Sequence, residues 1–191
     1  LSDITPEESP RPLRPSRPSG DDVAMLSPRQ VDDPYRFRRG NLTHILLQYL
    51  PDIPVSQRQE RGAAFLATQG QDLPEEIRTN ILEETLNIMN HPEFAPIFGA
   101  RSRAEVPITG ALPTGEIISG QIDRLLIGER EILIVDYKSN RPAATKLEDI
   151  PAQYIRQMQT YRRAIQGAYP DHTVRCALLW TENCDLMEIS V

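Results

Sequence analysis

The sequence predicts an α/β fold: a mixed β-sheet flanked by helices, with an N-terminal helical segment ahead of it. Three observations predict it. The apolar period is helical between about residues 40 and 90 and becomes two after about residue 104. A helical stretch returns at 150–167, between strand-like runs. The runs 116–127 and 131–138 are apolar on both faces, which suits a sheet covered on both sides.

Taken in order, residues 1–30 read as a flexible linker. Pro6, Pro10, Pro12, Pro15, Pro18 and Pro28 alternate with Ser, Arg and Asp, and such a stretch buries too little to fold alone. Residues 31–191 read as one domain, helical over about 36–100 and with its sheet core over about 101–191. A helix is expected from Gly40, capped by Asn41, carrying Leu42, Ile45, Leu46 and Tyr49 on one face and stopped by Pro51. A second is expected over 55–68. A third is expected over 74–89, opened by Pro74, with Ile77, Ile81, Leu82, Leu86 and Met89 inward. Strands follow at 104–112, 116–127 and 131–138, the last two joined by a tight turn at Gly128-Glu129-Arg130. A helix from Pro151 to Gly167 precedes strands at 173–180 and 185–191.

Composition limits the function. Hydrophobic residues are 39% of the 191 and charged residues 25%, enough for a core. No run of about 18 apolar residues is present, so no membrane span is expected. The opening Leu1-Ser2-Asp3 carries no export pattern, which implies a cytoplasmic chain, and no initiator Met, which implies a piece of a longer one. Cys176 and Cys184 are too few for a four-cysteine zinc or iron–sulfur site and read as reduced thiols in or near the core. No Walker motif is present, so no ATP site is expected. The net charge of −6 disfavours a phosphate-binding surface, unless carboxylates gathered at one site hold a metal that reverses the local sign. Two basic clusters, Arg36, Arg38 and Arg39 and then Arg156, Arg162 and Arg163, read on composition alone as solvated faces. Trp180 and Tyr169 read as packing residues.

The chemistry concentrates in the hairpin 116–138. Asp136 and Lys138 share a strand face because side chains alternate. A two-residue loop at Glu129-Arg130 places Asp123 across from Asp136, about 5 Å apart at Cβ. That face also carries Leu125, Ile127, Ile132 and Ile134. The other face is expected to carry Ile122, Leu126, Leu133, Val135 and Tyr137. Two carboxylates in such apolar surroundings repel each other, and without a cation one tends to take up a proton. A divalent metal resolves the conflict, and hard oxygen donors favour Mg²⁺ or Mn²⁺. Two carboxylates and a Lys supply what phosphodiester cleavage needs. The residue types alone fit a structural ion pair of Lys138 with Asp136 or Asp123 equally well.

Gly120-Gln121-Ile122-Asp123-Arg124-Leu125, followed by Ile134-Val135-Asp136-Tyr137-Lys138-Ser139-Asn140-Arg141, resembles the PD-(D/E)xK nuclease signature. It resembles more narrowly the branch shared by the RecB and AddA helicase–nucleases. Arg39-Gly40-Asn41-Leu42-Thr43-His44 resembles that branch's G-x-x-x-H helix, and Gln157-Met158-Gln159-Thr160-Tyr161 its Q-x-x-x-Y motif. The stretch 92–107 looks most like AddA. Together the matches run from about residue 36 to the C-terminus.

The resemblance implies a restriction-endonuclease-like fold and a Mg-dependent deoxyribonuclease. Asp123 and Asp136 would be metal ligands, with the backbone carbonyl of Tyr137 a third and His44 one more from the helical layer. Lys138 would position or deprotonate the attacking water. Gln157, Tyr161, Arg141 and Arg124 would bind DNA or orient the site, and Glu105 lies where the family often has a first-strand Glu. It implies further a single DNA strand delivered by a helicase in the N-terminal part of the same polypeptide, an AddB-type partner subunit, and double-strand break repair near the bacterial nucleoid. Two other readings stay open: a catalytically silent DNA-binding or subunit-docking module, and a free-standing restriction or phage-type exonuclease.

Overall fold

The computed structural model describes residues 34–111 and 117–191. The expected linker 1–30 and the strand ends at residues 112 and 116 lie outside these. Three helices come first: α1 (Arg36–Tyr49), α2 (Val55–Gln69) and α3 (Glu75–Asn90), then a 3₁₀ segment over Pro92–Phe98. The strands are β1 (Ser102–Ala111), β2 (Ile117–Ile127), β3 (Glu131–Lys138), β4 (Thr173–Trp180) and β5 (Asp185–Ile189), with helix α4 (Ala152–Ala168) between β3 and β4.

The sheet runs β1-β2-β3-β4-β5. All neighbours are antiparallel except β3 and β4, which are parallel. A parallel pair needs a crossover, and α4 is that crossover. The result is the mixed, helix-flanked sheet that the sequence predicts. Two apolar clusters sandwich it. One packs Leu42, Leu46, Ile81 and Ile88 of the helical layer against Val135, Tyr137 and Leu179. The other packs Met158, Tyr161 and Ile165 of α4 against Leu125, Ile134, Leu178 and Trp180. Each such fully buried Leu, Ile or Met contributes ~1.5–3 kcal/mol.

Two expectations need correction. Helix α1 starts at Arg36 rather than Gly40, so Asn41 lies inside the helix and caps nothing; Tyr35 holds the N-cap position without a side-chain bond. The first turn, Arg36-Phe37-Arg38-Arg39, offers no apolar period, because Arg39 is the residue it buries and Phe37 the one it exposes. Ile122, placed by strict alternation on the Tyr137 face, joins the α4 cluster instead. The cause is local. The turn closes as expected, with Gly128 N–H donating to the Glu131 carbonyl at 2.8 Å. The β2–β3 ladder then runs from Ile127↔Ile132 to Arg124↔Val135. Past that point the Tyr137 N–H donates to the Asp123 carboxylate (Oδ2, 2.7 Å), so a side chain replaces the ladder and alternation fails beside it.

Candidate active site

Asp123 is the hub. Its Oδ2 accepts the Tyr137 N–H from β3, and its Oδ1 lies 3.4 Å from Nδ1 of His44 on α1. The β1–β2 register, Ala104↔Arg124 and Val106↔Ile122, brings Glu105 alongside Asp123. Glu105 adopts φ 51°, a left-handed conformation in the middle of a strand. Such a conformation costs ~1–3 kcal/mol and persists where surroundings impose it, often at functional sites. His44, Glu105 and Asp123 each offer a ligand atom, all within 4.8 Å of one another. One imidazole nitrogen and two carboxylate oxygens form a donor set that a hard or borderline divalent cation fits. Asp136, expected as the second metal ligand, is not one of these three, and Glu105 is.

Asp136 is instead engaged with Lys138, whose Nζ lies 2.5 Å from its Oδ2. Both side chains are almost fully buried. The ammonium also donates to Gln157 Oε1 (3.0 Å) and sits 3.9 Å from the Tyr154 ring centroid, a cation–π contact. Gln157 Nε2 donates to the Tyr161 hydroxyl (3.3 Å), which donates to the Gln121 carbonyl (2.8 Å). One face of α4 therefore ties Lys138 to β2. Tyr161 is fully buried, so its side chain is out of reach of a DNA groove.

The two aspartates split. Burial pushes both carboxyls up. At Asp123 this is overcome by His44, the Tyr137 N–H and Lys138, which hold it below the ordinary value. At Asp136 burial prevails over Lys138, and the Asp123 charge adds to it, so the carboxyl is raised. Burial and Asp123 also raise Glu105. Burial alone would lower His44, but the Asp123 charge and hydrogen bond more than offset it and raise the imidazole. Burial likewise works against Lys138, and Asp136 chiefly reverses it, leaving the ammonium firmly protonated. Its raised value and the raised value of Asp136 point opposite ways for the charged pair. The 2.5 Å contact favours the charged form.

The arginines do other work. Arg124 faces the helical layer, donating to the Leu47 carbonyl (2.6 Å) and the Tyr137 hydroxyl (3.1 Å), with Phe98 below its guanidinium. Arg141 pairs with Glu84 of α3. The cluster at the head of α1 is no shared basic face. Arg38 pairs with Asp72 at 3.0 Å, Arg39 is buried and donates to the Ser139 carbonyl (3.3 Å), and Arg36 lies over Phe37. Sequence reasoning missed Tyr154, although its place three residues before Gln157 on α4 was the available signal. Gly40 lies where α1 crosses the end of β3, with Ser139 Oγ 2.6 Å from where a Cβ would stand.

A sheet whose hairpin carries Asp123, Asp136 and Lys138 beside a histidine-bearing helix defines a nuclease-type class, and residues 22–184 match the PD-(D/E)XK nuclease superfamily. The chain belongs to that superfamily. More particularly, it is 28% identical to the A subunit of the ATP-dependent helicase/nuclease from Oceanobacillus iheyensis, over 79% of its own length and 14% of that protein. The chain thus spans about one seventh of that relative. It also overlays a candidate exonuclease from Eubacterium rectale with a TM-score of 0.47 and 14% identity, over 78% of this chain and 59% of that one. No helix among the described residues is long and apolar enough to cross a membrane.

Proposed function

We propose that this chain is the DNA-cutting domain of a bacterial helicase–nuclease of the AddA type, hydrolysing phosphodiester bonds with Mg²⁺ or Mn²⁺. The carrying observation is the convergence of His44, Glu105 and Asp123 within 4.8 Å, beside the buried Asp136–Lys138 pair. His44, Glu105 and Asp123 would hold the ion, with Asp136 and the Tyr137 carbonyl as further donors. The ion supplies Lewis acidity at a phosphoryl oxygen and makes a water more acidic. Lys138, kept cationic by Asp136, positions the attacking water and stabilises charge developing on the phosphate; it does not act as a base. Gln157 and Tyr161 fix its ammonium in place, and Arg141 and Arg124 orient the surrounding elements. The relative's name supports the wider setting. ATP-driven strand separation would belong to a helicase part outside this chain, delivering one strand from a double-strand end. An AddB-type subunit would complete the complex in the cytoplasm.

Cleavage of end-labelled single-stranded DNA tests the reading. Wild type should cut with Mg²⁺ or Mn²⁺ and not in EDTA, and Asp136→Ala should cut at least ~10²-fold more slowly, the scale for removing a group that stabilises transition-state charge. Cutting that persists in EDTA, or in Asp136→Ala, would sink the mechanism.

A further inference from the structure

We propose that the outward stripe of α1, headed by Phe37, stacks on and reads an unpaired nucleobase of single-stranded DNA next to the candidate metal site. This deepens the nuclease reading and rests on it. Residues 37, 41, 44 and 48 recur at helical spacing and share one face. Phe37 is 77% exposed, Asn41 is exposed, and His44 and Gln48 are half-buried; Tyr49, 60% exposed, lies off this face. The Phe37 ring stands in water at the head of the helix, in line with the candidate metal-ligand His44, and is free to meet a ligand there. The stripe meets the metal-ligand group at His44, which belongs to both. Gly40, Asn41, His44, Ile45, Gln48 and Glu105 line one open depression of about 270 Å³. Phe37 and His44 are seven residues apart, about 10 Å along the helix. A strand whose phosphate meets His44 therefore has a base within reach of the ring.

The chemistry selects the occupant. Besides His44, the stripe carries no ionisable side chain, so it is built for bases and not for phosphates. Phe37 offers a stacking face, which every base can use. Asn41 and Gln48 offer amides that pair with base edges. The Arg36 guanidinium lies 4.4 Å from the Phe37 ring centroid, adding the cation that often accompanies such a stack. Bases inside a duplex are already stacked, so the surface favours a single strand.

Fluorescence anisotropy of a labelled oligothymidylate of about twelve nucleotides, in EDTA to prevent cutting, tests this on the chain as it stands. Phe37→Ala should weaken binding about tenfold, the loss of one base stack, while Phe37→Trp should keep it. The same oligonucleotide with abasic sites should bind wild type at least about tenfold more weakly, and Phe37→Ala should lose less on that change than wild type does. An unchanged affinity in Phe37→Ala overturns the proposal. Additive losses, or no measurable single-strand binding by wild type, overturn it as well. The nuclease reading is judged apart, by metal-dependent cutting and its loss in Asp136→Ala, so either can fail alone.

Discussion

Cys176 and Cys184 show how one residue type takes two characters from its surroundings. Cys176 lies inside the cluster beneath α4, where burial pushes its thiol up to about 12. Cys184 is half-buried, at φ 54° in the turn between β4 and β5, and burial with the neighbouring Asp185 charge raises it too. The thiolate is the reactive species, and at pH 8 a thiol with a pKa of about 12 holds only ~10⁻⁴ of it. Iodoacetamide at pH 8 should therefore label Cys184 first and leave Cys176 until the chain unfolds, as read by mass spectrometry of peptides. Early labelling of Cys176 would show that the α4 cluster opens in the native state. Both thiols stand apart from the metal-ligand group, so blocking Cys184 should leave metal binding unaffected.

Helix α1 carries His44, and the strand pair carries Asp123, so the site depends on how that helix is docked. Neighbouring residues of β2 do the docking. Asp123 meets His44, and Arg124 donates to the Leu47 carbonyl one turn further along. The last turn of α1 has no basic residue of its own, and the Arg124 guanidinium supplies the positive charge its C-terminus favours. Arg124→Ala leaves a buried carbonyl and the Tyr137 hydroxyl without this donor and should destabilise the fold by about 2–4 kcal/mol in urea titration. Arg124→Lys should recover only part, because one ammonium cannot reproduce the planar fork. Metal affinity should fall in both, since His44 moves with its helix; an unchanged affinity would detach α1 docking from the site. How far such features were legible differs by kind. The β2–β3 register was legible, because Gly128-Glu129-Arg130 fixes the loop length and alternation does the rest. The convergence of Asp123 with Lys138's strand followed from it. The start of α1 was not, because Arg39 is buried against the sheet end while Phe37 is exposed, the reverse of what polarity suggests. Ile122 was misjudged because a carboxylate accepting a backbone N–H breaks the strand pattern at Asp123, and no periodicity records that.

The whole molecule is a sheet between two apolar layers with several buried ionisable groups gathered at one place, and a cation bound there would couple stability to the metal. Four ionisable groups, His44, Glu105, Asp123 and Asp136, face one another there; burial raises Glu105 and Asp136, while the Asp123 charge raises His44. A cation that binds only the folded chain stabilises it by mass action, ~2.7 kcal/mol at a hundred times its dissociation constant. Mn²⁺ should thus raise the melting temperature, and Asp123→Asn should abolish the rise. The effect has a definite pH sign. His44 is raised above its ordinary 6.5 by Asp123, so its protonated form contributes stability that is fully present below 6.5 and lost as pH rises through the raised folded value. A ligating imidazole must be unprotonated, so the ion competes with that proton. Going up from pH 6.5, the metal-free chain loses the His44 contribution while metal binding strengthens, and the gap between the two melting temperatures should widen. His44→Ala should flatten that widening while leaving some of the rise, because Glu105 and Asp123 still offer oxygens. Scanning calorimetry at several pH values, with and without Mn²⁺, reads this directly. A gap that narrows with pH would mean that His44 keeps its proton and lies outside the ligand set.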